Sequence, residues 1–401
     1  MLNRPLTFPP LDRARPQPDA PPAHERAAGI SVEVLADAQD FAALAPDWNR
    51  LHDQAEPASV FNSWIWQFQW WQVYGKDRPL RLLVARDGGE VVGILALYVH
   101  TVRVLGVPVR LLRLVGTGGD THPDDLGPVL DPGRSSAVAA ELAHALLGLR
   151  DADVLLLTDL SPECALVGAL ENAAGIAGRP ALVAPSERIA FVRLPGSWDA
   201  YLRALSSHRR SRIRYTRRRV AAENGRFYVW SDPAGIDRAF ERLAELHCRR
   251  WAAHGGSESF GSPEYLEFHR RVMKACLPRG WLRLYCLQIA GEPAAMIYAY
   301  RFRNAIYWMQ SGFDPDHGRL EPGNVLLGYA FEHAIGEGNA VFDFLRGDHG
   351  YKDQLATDHR ETVSVRVFRA TPGALAYRLR RVWLPRWKAR LLRRPAPKLR
   401  P

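Results

Sequence analysis

LRLLVARDGGEVVGI (Leu80 to Ile94) and LRLYCLQIAGEPAAM (Leu282 to Met296) lie over one another without a gap. Leu80-Arg81-Leu82 falls on Leu282-Arg283-Leu284, and Gly89-Glu90 falls on Gly291-Glu292. Each stretch reads as a strand, a tight turn and a return strand, because apolar runs of strand length flank the turn formers Asp87-Gly88-Gly89-Glu90 and Ala290-Gly291-Glu292-Pro293.

The elements around the two hairpins keep one order. Before the first come a strand at Ser31 to Leu35, helical apolar spacing over Asp40 to Gln54, and an aromatic helix at Ser63 to Tyr74. That last helix is apolar on two sides, with Phe61, Ile65, Phe68 and Trp71 on one stripe and Trp66, Trp70 and Tyr74 on another. Such a helix belongs between two layers. After the hairpin come a strand at Val107 to Leu114, the Gly-rich loop Gly116 to Asp125, a helix at Ala137 to Leu149 and a strand at Val154 to Leu157. The second copy gives a strand at Phe191 to Leu194, a basic helix over Trp198 to Asn224, a strand at Arg226 to Trp230, and helices at Ile236 to Trp251 and Pro263 to Cys276. Ser262 is the N-cap of the last of these and Pro263 its first residue. Beyond the second hairpin stand a strand at Ala305 to Ser311, a helix at Gly323 to Gly336, and strands at Val341 to Leu345 and Thr362 to Phe368. The expectation is an α/β protein with a mixed sheet, made of two duplicated halves at 30–186 and 187–371. They sit between a disordered Pro-rich leader (1–29) and a basic tail (372–401).

The chain has 401 residues and a formal charge of +10. Ten Lys and Arg and no acid lie between Ala374 and Pro401, so 43 basic residues face 43 acidic ones over the remainder. A near-neutral body argues against a general nucleic-acid binder. The leader lacks a signal-peptide pattern and no apolar run is long enough to span a bilayer, so the expected location is the cytoplasm. Cys164, Cys248, Cys276 and Cys286 form no CxxC pair, and His122, His317, His349 and His359 show no HxxxH or HExxH spacing, so no metal site is expected. There is no GxSxG elbow and no Walker A motif.

Three stretches carry a family resemblance. They are Phe61-Asn62-Ser63-Trp64 with Trp70-Trp71; Leu205 to Arg219; and Gly312-Phe313-Asp314, Glu321-Pro322-Gly323, Phe342 to Asp348 and Tyr351-Lys352. With the order of elements they resemble the GNAT acetyltransferases, and as a tandem of two halves the FemABX-like peptidyltransferases. The nearest resemblance is to the CelD-like acetyltransferases of cellulose and exopolysaccharide synthesis. Leu355 stands where such proteins often carry a Trp.

The resemblance implies an acyl group donated by acetyl-CoA or another acyl-CoA, without a metal, to an amine or hydroxyl acceptor such as a saccharide. It places the donor between two splayed parallel strands, in the second half. Met309, Gln310, Ser311 and Gly312 would then line the thioester. Gly323 and Asn324, at a helix start, would offer unpaired N–H groups to the pyrophosphate, and Arg319 would add charge. Asp343 interrupts an apolar strand, as a base would or as a carboxylate bridging to a core Arg would. Tyr351 matches the position of a Tyr that protonates the leaving thiolate. Lys352 is a candidate for a phosphate or substrate carboxylate, and Asp348 and His349 accompany it.

For the acceptor, Trp66 and Trp70 are candidates, together with Arg210, Arg214 and Arg217 of the basic helix. There the apolar stripe Leu202, Leu205, Ile213, Val220 is interrupted by Arg209 and Thr216. The arginines fit either a solvated face or recognition of an anionic group such as a nucleotide-sugar, a lipid-linked pyrophosphate or tRNA. The tail mixes Trp383, Trp387 and Leu379 with its cations and fits either a disordered segment or a contact with an anionic membrane. The competing functions are an acyl-CoA-dependent acyltransferase of exopolysaccharide or envelope metabolism, an aminoacyltransferase using aminoacyl-tRNA, and a non-catalytic accessory protein.

Overall fold

The computed structural model describes residues 29–252, 260–347 and 350–384. The first half runs β1 (Ile30–Leu35), α1 (Ala38–Ala43), α2 (Ala45–Gln54), α3 (Trp64–Tyr74), β2 (Leu80–Asp87), β3 (Glu90–Val104), β4 (Val107–Leu114), β5 (Val129–Leu130), α4 (Ser135–Gly148), β6 (Val154–Leu160), α5 (Ala165–Ile176) and β7 (Leu182–Arg193). The second runs α6 (Trp198–Ala204), α7 (Ser207–Ala222), β8 (Arg226–Trp230), α8 (Ile236–Ala252), α9 (Pro263–Cys276), β9 (Leu282–Ile289), β10 (Glu292–Phe302), β11 (Ala305–Phe313), α10 (Pro322–Gly336), β12 (Val341–Asp343), α11 (Gly350–Leu355) and β13 (Asp358–Phe368). A last helix, α12 (Pro372–Arg378), comes after β13.

The hairpin repeat keeps its register residue for residue. Leu80 pairs with Tyr98 and Leu282 with Tyr300; Val84 pairs with Ile94 and Cys286 with Met296. The offset between partners is 202 residues on both strands (282 − 80 and 300 − 98). Even the turns agree: Gly88 and Ala290 have φ of 56° and 53°, and Gly89 and Gly291 both have 90°. Two successive positive φ values give the turn whose twist matches that of paired strands.

All strands share one mixed sheet, in the order β1-β2-β3-β4-β6-β13-β7-β12-β11-β10-β9-β8, with β5 beside β3. β4 with β6, and β11 with β12, are its parallel pairs. The strand after each parallel pair crosses to the other half: β7 pairs with β12, β13 pairs with β6, and the two crossing strands pair with each other. The expected boundary at 186/187 therefore falls inside β7. Each half completes the other's sheet, so separating them would leave unpaired strand edges on both.

Helices cover the two faces. The aromatic α3 lies against α9, its counterpart in the repeat, with the Trp66 and Phe268 rings edge-on at 4.8 Å. Trp66 and Trp70 are 0% exposed. Their indole N–H groups donate to the Gly116 carbonyl at 3.2 Å and to Thr121 Oγ1 at 2.8 Å. The layered position expected for this helix is the observed one, and it removes both tryptophans from any acceptor-binding role: they are core residues holding the Gly-rich loop.

The expected single helix over Trp198 to Asn224 is two. Ser206 accepts from the Arg209 N–H as N-cap of α7, and Arg210 donates back to the Leu205 carbonyl at 2.5 Å and the Arg203 carbonyl at 3.3 Å, closing α6. Arg210 thus caps α6 through one guanidinium nitrogen and does not line the cavity beside α7. Ser262 caps α9 as expected, accepting from the Tyr265 N–H at 3.2 Å.

Candidate active site

The two parallel pairs open differently. β11 registers with β12 at Ala305, Ile306 and Tyr307, opposite Val341, Phe342 and Asp343. Beyond Tyr307, no strand among the described residues pairs with β11 on this side. Met309 is an extra residue in the ladder with β10, since Tyr298 faces Gln310 and Ala299 faces Trp308. Such a bulge bends the strand and frees backbone groups. Glu321, which lines this opening, and Leu345, two residues beyond β12, both hold φ of 52° without being glycine. Each such residue costs of order 1 kcal/mol, strain that collects where a site needs a set geometry.

A cavity of about 580 Å³ fills the opening. Its lining includes Ser311 and Gly312 of β11, Gly323 and Asn324 at the start of α10, and Leu205, Arg209, Arg212, Ile213 and Thr216 beside them. Trp308 and Phe331 add an apolar wall, and Arg250 of α8 lies at its edge and donates to Ser311 Oγ at 3.2 Å. Four of the seven expected donor-binding residues are therefore together at a helix N-terminus that offers unpaired N–H groups. Met309 instead packs into the core on the opposite face, Gln310 donates to Tyr265 Oη at 3.0 Å, and Arg319 turns to Glu223 at 3.4 Å, 73% exposed. None of these three lines the cavity.

The sequence missed the cations that do. Arg209 and Thr216 were legible as breaks in an apolar stripe; they sit on the cavity face of α7, where Arg209, Ile213 and Thr216 recur at helical spacing. Arg212 forms a two-pronged ion pair with Glu321, at 2.8 and 3.2 Å, and Asn324 donates to the same carboxylate at 3.2 Å. Arg217 does not line the cavity. It stacks on Tyr329 and Trp198 at 4.0 and 4.7 Å and pairs with Glu332 at 2.7 Å, pinning α7 to α10. Arg214 is exposed on the outer face of α7, away from the cavity. Gly312 is required by packing: a Cβ there would lie 2.3 Å from the His247 backbone N of α8.

On the opposite face of the sheet lies a second cavity of about 680 Å³ between the halves. Asp343 faces this one, not the first. It is 3% exposed and accepts from Arg360 Nε at 2.8 Å and from the Leu345 N–H at 2.7 Å. Arg360 also binds Asp125 of the Gly-rich loop at 2.8 Å. Of the two roles open to Asp343, the structure shows the bridge to a core arginine. Lys352 is likewise engaged: its ammonium donates to the Phe344 and Arg346 carbonyls at 2.9 Å each, and burial lowers its pKa to about 8. The backbone of Tyr351 is in α11 and its side chain lies outside the described residues, as do Asp348 and His349.

Among the described residues, the first parallel pair is bridged where the second is open. β4 leaves β3 after Leu114, and residues 116–128 cross to β6, where Leu126 forms a parallel bridge with Leu160. The chain returns as β5 beside Gly93 and Ile94, the repeat equivalents of Ala295 and Met296, which in the second half face Phe313 and Gly312. The loop thus plugs the first parallel pair. It also sends its acids across: Asp124, 0% exposed, binds the Arg346 backbone N–H and side chain, each at 3.0 Å, while Arg346 also pairs with Asp159. Burial raises the Asp124 pKa, and raises that of Asp125 to about 7 despite Arg360.

Residues 207–353, which include α7, the cavity lining of β11 and α10, and β12, match the family model described as an acetyltransferase (GNAT) domain. The second half carries a GNAT domain. No curated protein matches the chain. Among solved structures it is similar to FemX, at 12% identity and a TM-score of 0.59, over 87% of this chain and 99% of that one. It is also similar to the C-terminal domain of a putative lysylphosphatidylglycerol synthetase from Agrobacterium fabrum (13%, 0.50, 85% and 95%). A conserved protein of unknown function from Bacteroides thetaiotaomicron VPI-5482 is a third (12%, 0.51, 81% and 97%). At such identities these likenesses speak to the fold alone.

Proposed function

We propose that this chain is an acyltransferase that moves an acyl group from an acyl-CoA to an amine or hydroxyl, in exopolysaccharide or cell-envelope metabolism. The observation that carries the reading is the open parallel pair β11/β12, with the start of α10 and the cations Arg209, Arg212 and Arg250 around one cavity. The pyrophosphate lies at the N-terminus of α10 and takes Arg212 over from Glu321. The acyl thioester lies along β11 beyond Tyr307, where backbone N–H groups without a strand partner polarise its carbonyl.

The acceptor reaches the reacting carbon from the opposite face, through the cavity that Tyr307 and Asp343 line at the last registered pair of β11 and β12. Its nitrogen or oxygen forms the new bond to the acyl carbon, the C–S bond breaks, and the thiolate takes up a proton. Asp125, with its pKa pushed up to about 7, is the group in that cavity suited to accept the acceptor's proton. Asp343 holds Arg360 in place beside it. A saccharide acceptor, as the CelD-like resemblance implies, suits a cavity carrying Ser59, Asn62, Asn304 and these charged groups.

An aminoacyl-tRNA donor is the second reading, and one observation favours it: α7 exposes Arg209 and Arg212 at the cavity and Arg214 and Arg218 away from it, a run of cations along one helix. Competition separates the two. Calorimetry with acetyl-CoA is expected to give saturable binding that Arg212→Ala weakens about tenfold, the loss of one charge-assisted pair. Binding of aminoacyl-tRNA with no acetyl-CoA binding would replace the first reading by the second. Binding of neither would leave an accessory protein.

A further inference from the structure

The first turns of the basic tail are built into the body. α12 docks on the sheet through Ala374, Ala376 and Tyr377, which pack with Val104, Val109, Leu111, Val154 and Leu156. Thr371 caps it and the helix continues through Leu379–Trp383 in π form. One stripe of its outer surface is apolar where solvent should favour polar residues. Leu375, Leu379 and Trp383 recur at every fourth position and are 58%, 39% and 38% exposed. Leu105, at the tip of the β3–β4 hairpin, is 57% exposed and holds φ of 51°. Beside them stand the exposed Arg103, Arg378, Arg380 and Arg381, with the Arg378 guanidinium over the Trp383 ring at 5.3 Å. No acid occurs between Pro372 and the end of the chain, and residues 385–401 add seven more cations with Trp387, Leu391 and Leu392.

We infer that this face is a docking surface for an anionic lipid bilayer, laid flat in the headgroup region by α12 and its π-form extension. Charge complementarity favours an anionic partner. The ridge of two leucines and a tryptophan chooses a bilayer over a polyphosphate such as RNA, because a polyphosphate gives leucine side chains nothing to bury against, whereas the acyl boundary does. No helix among the described residues is long and apolar enough to cross a membrane, so the contact is peripheral. It would hold the first half of the molecule against the surface.

The test is co-sedimentation of the full chain with phosphatidylcholine vesicles, with and without phosphatidylglycerol. The variants are Leu375→Glu/Leu379→Glu/Trp383→Glu and, separately, Arg380→Glu/Arg381→Glu. All five positions are exposed, so Tm and acetyl-CoA affinity should not move. The full chain should bind the phosphatidylglycerol vesicles, less so as salt is added, and the apolar triple variant should bind at least about tenfold more weakly. If the triple variant folds poorly, the arginine pair carries the test and should lose binding to anionic vesicles. Three results would overturn the inference: no binding of the full chain to anionic vesicles, undiminished binding by the variants, or retention on RNA alone.

Discussion

One hairpin repeat ends in two different parallel pairs. In the second half β11 and β12 diverge after three registered residues and leave a cavity walled by α7 and α10. In the first half β4 and β6 diverge likewise, but residues 116–128 fill the gap, bridge to Leu160 and deliver Asp124 and Asp125 to arginines of the other half. The connection from β4 to α4 (115–134) is longer than that from β11 to α10 (314–321), and the added length forms a structural plug and an inter-half clamp. An identical register over 202 residues of offset therefore does not determine which copy stays open. The chain just beyond the last paired residue of each parallel pair determines it.

The largest expected effect breaks the clamp. Asp124→Ala leaves Arg346 with a buried, partly unpaired charge, and should cost about 3–5 kcal/mol in urea unfolding. If the loss is no larger than that of a surface ion pair, the plug is not holding the halves together. Next comes Gly312→Ala on the open side. The added Cβ meets the α8 backbone at 2.3 Å, so either α8 or β11 must shift, with about 1–3 kcal/mol of destabilisation and weaker acetyl-CoA binding. Gly323→Ala faces the Phe313 ring at 3.2 Å and serves as the milder control.

The clamp should also show in pH. Asp125 has its native pKa raised to about 7, so between its unfolded value near 4 and about 7 the native state holds the extra proton. The stabilisation from that proton is complete below about 4 and lost as pH rises through about 7. Thermal melts of the parent chain and of Asp125→Asn should therefore diverge over this window by up to about 4 kcal/mol, the parent losing ground as pH rises, and run parallel above it. The smallest effect sharpens the open site. Glu321→Gln releases Arg212 from its carboxylate and should tighten acetyl-CoA binding by a few-fold, whereas unchanged affinity would mean that Arg212 does not meet the pyrophosphate.

Much of the architecture was legible because local chemistry specified it. Turn residues gave both hairpins, Ser262-Pro263 gave the start of α9, and the two-sided apolarity of α3 gave its sandwiched place. The β7/β13 exchange was not legible, because a strand's sequence carries its faces and not its neighbour. The break between α6 and α7 was hidden in a run whose arginines all favour helix, and only Ser206 marks it. In the site, Ser311, Gly312, Gly323 and Asn324 were placed by resemblance and stand at the cavity. Arg250 gave no signal, since one arginine among many on a helix looks ordinary until tertiary packing brings it to Ser311. Trp66 and Trp70 misled because an aromatic stripe serves a core as well as a ligand.

Hydrogen exchange with and without acetyl-CoA would decide between the two parallel pairs most directly. The open-pair account predicts protection at residues 308–313 and 322–326 and none at 111–116 or 129–139. Protection at the plugged pair, or at both pairs equally, would contradict it.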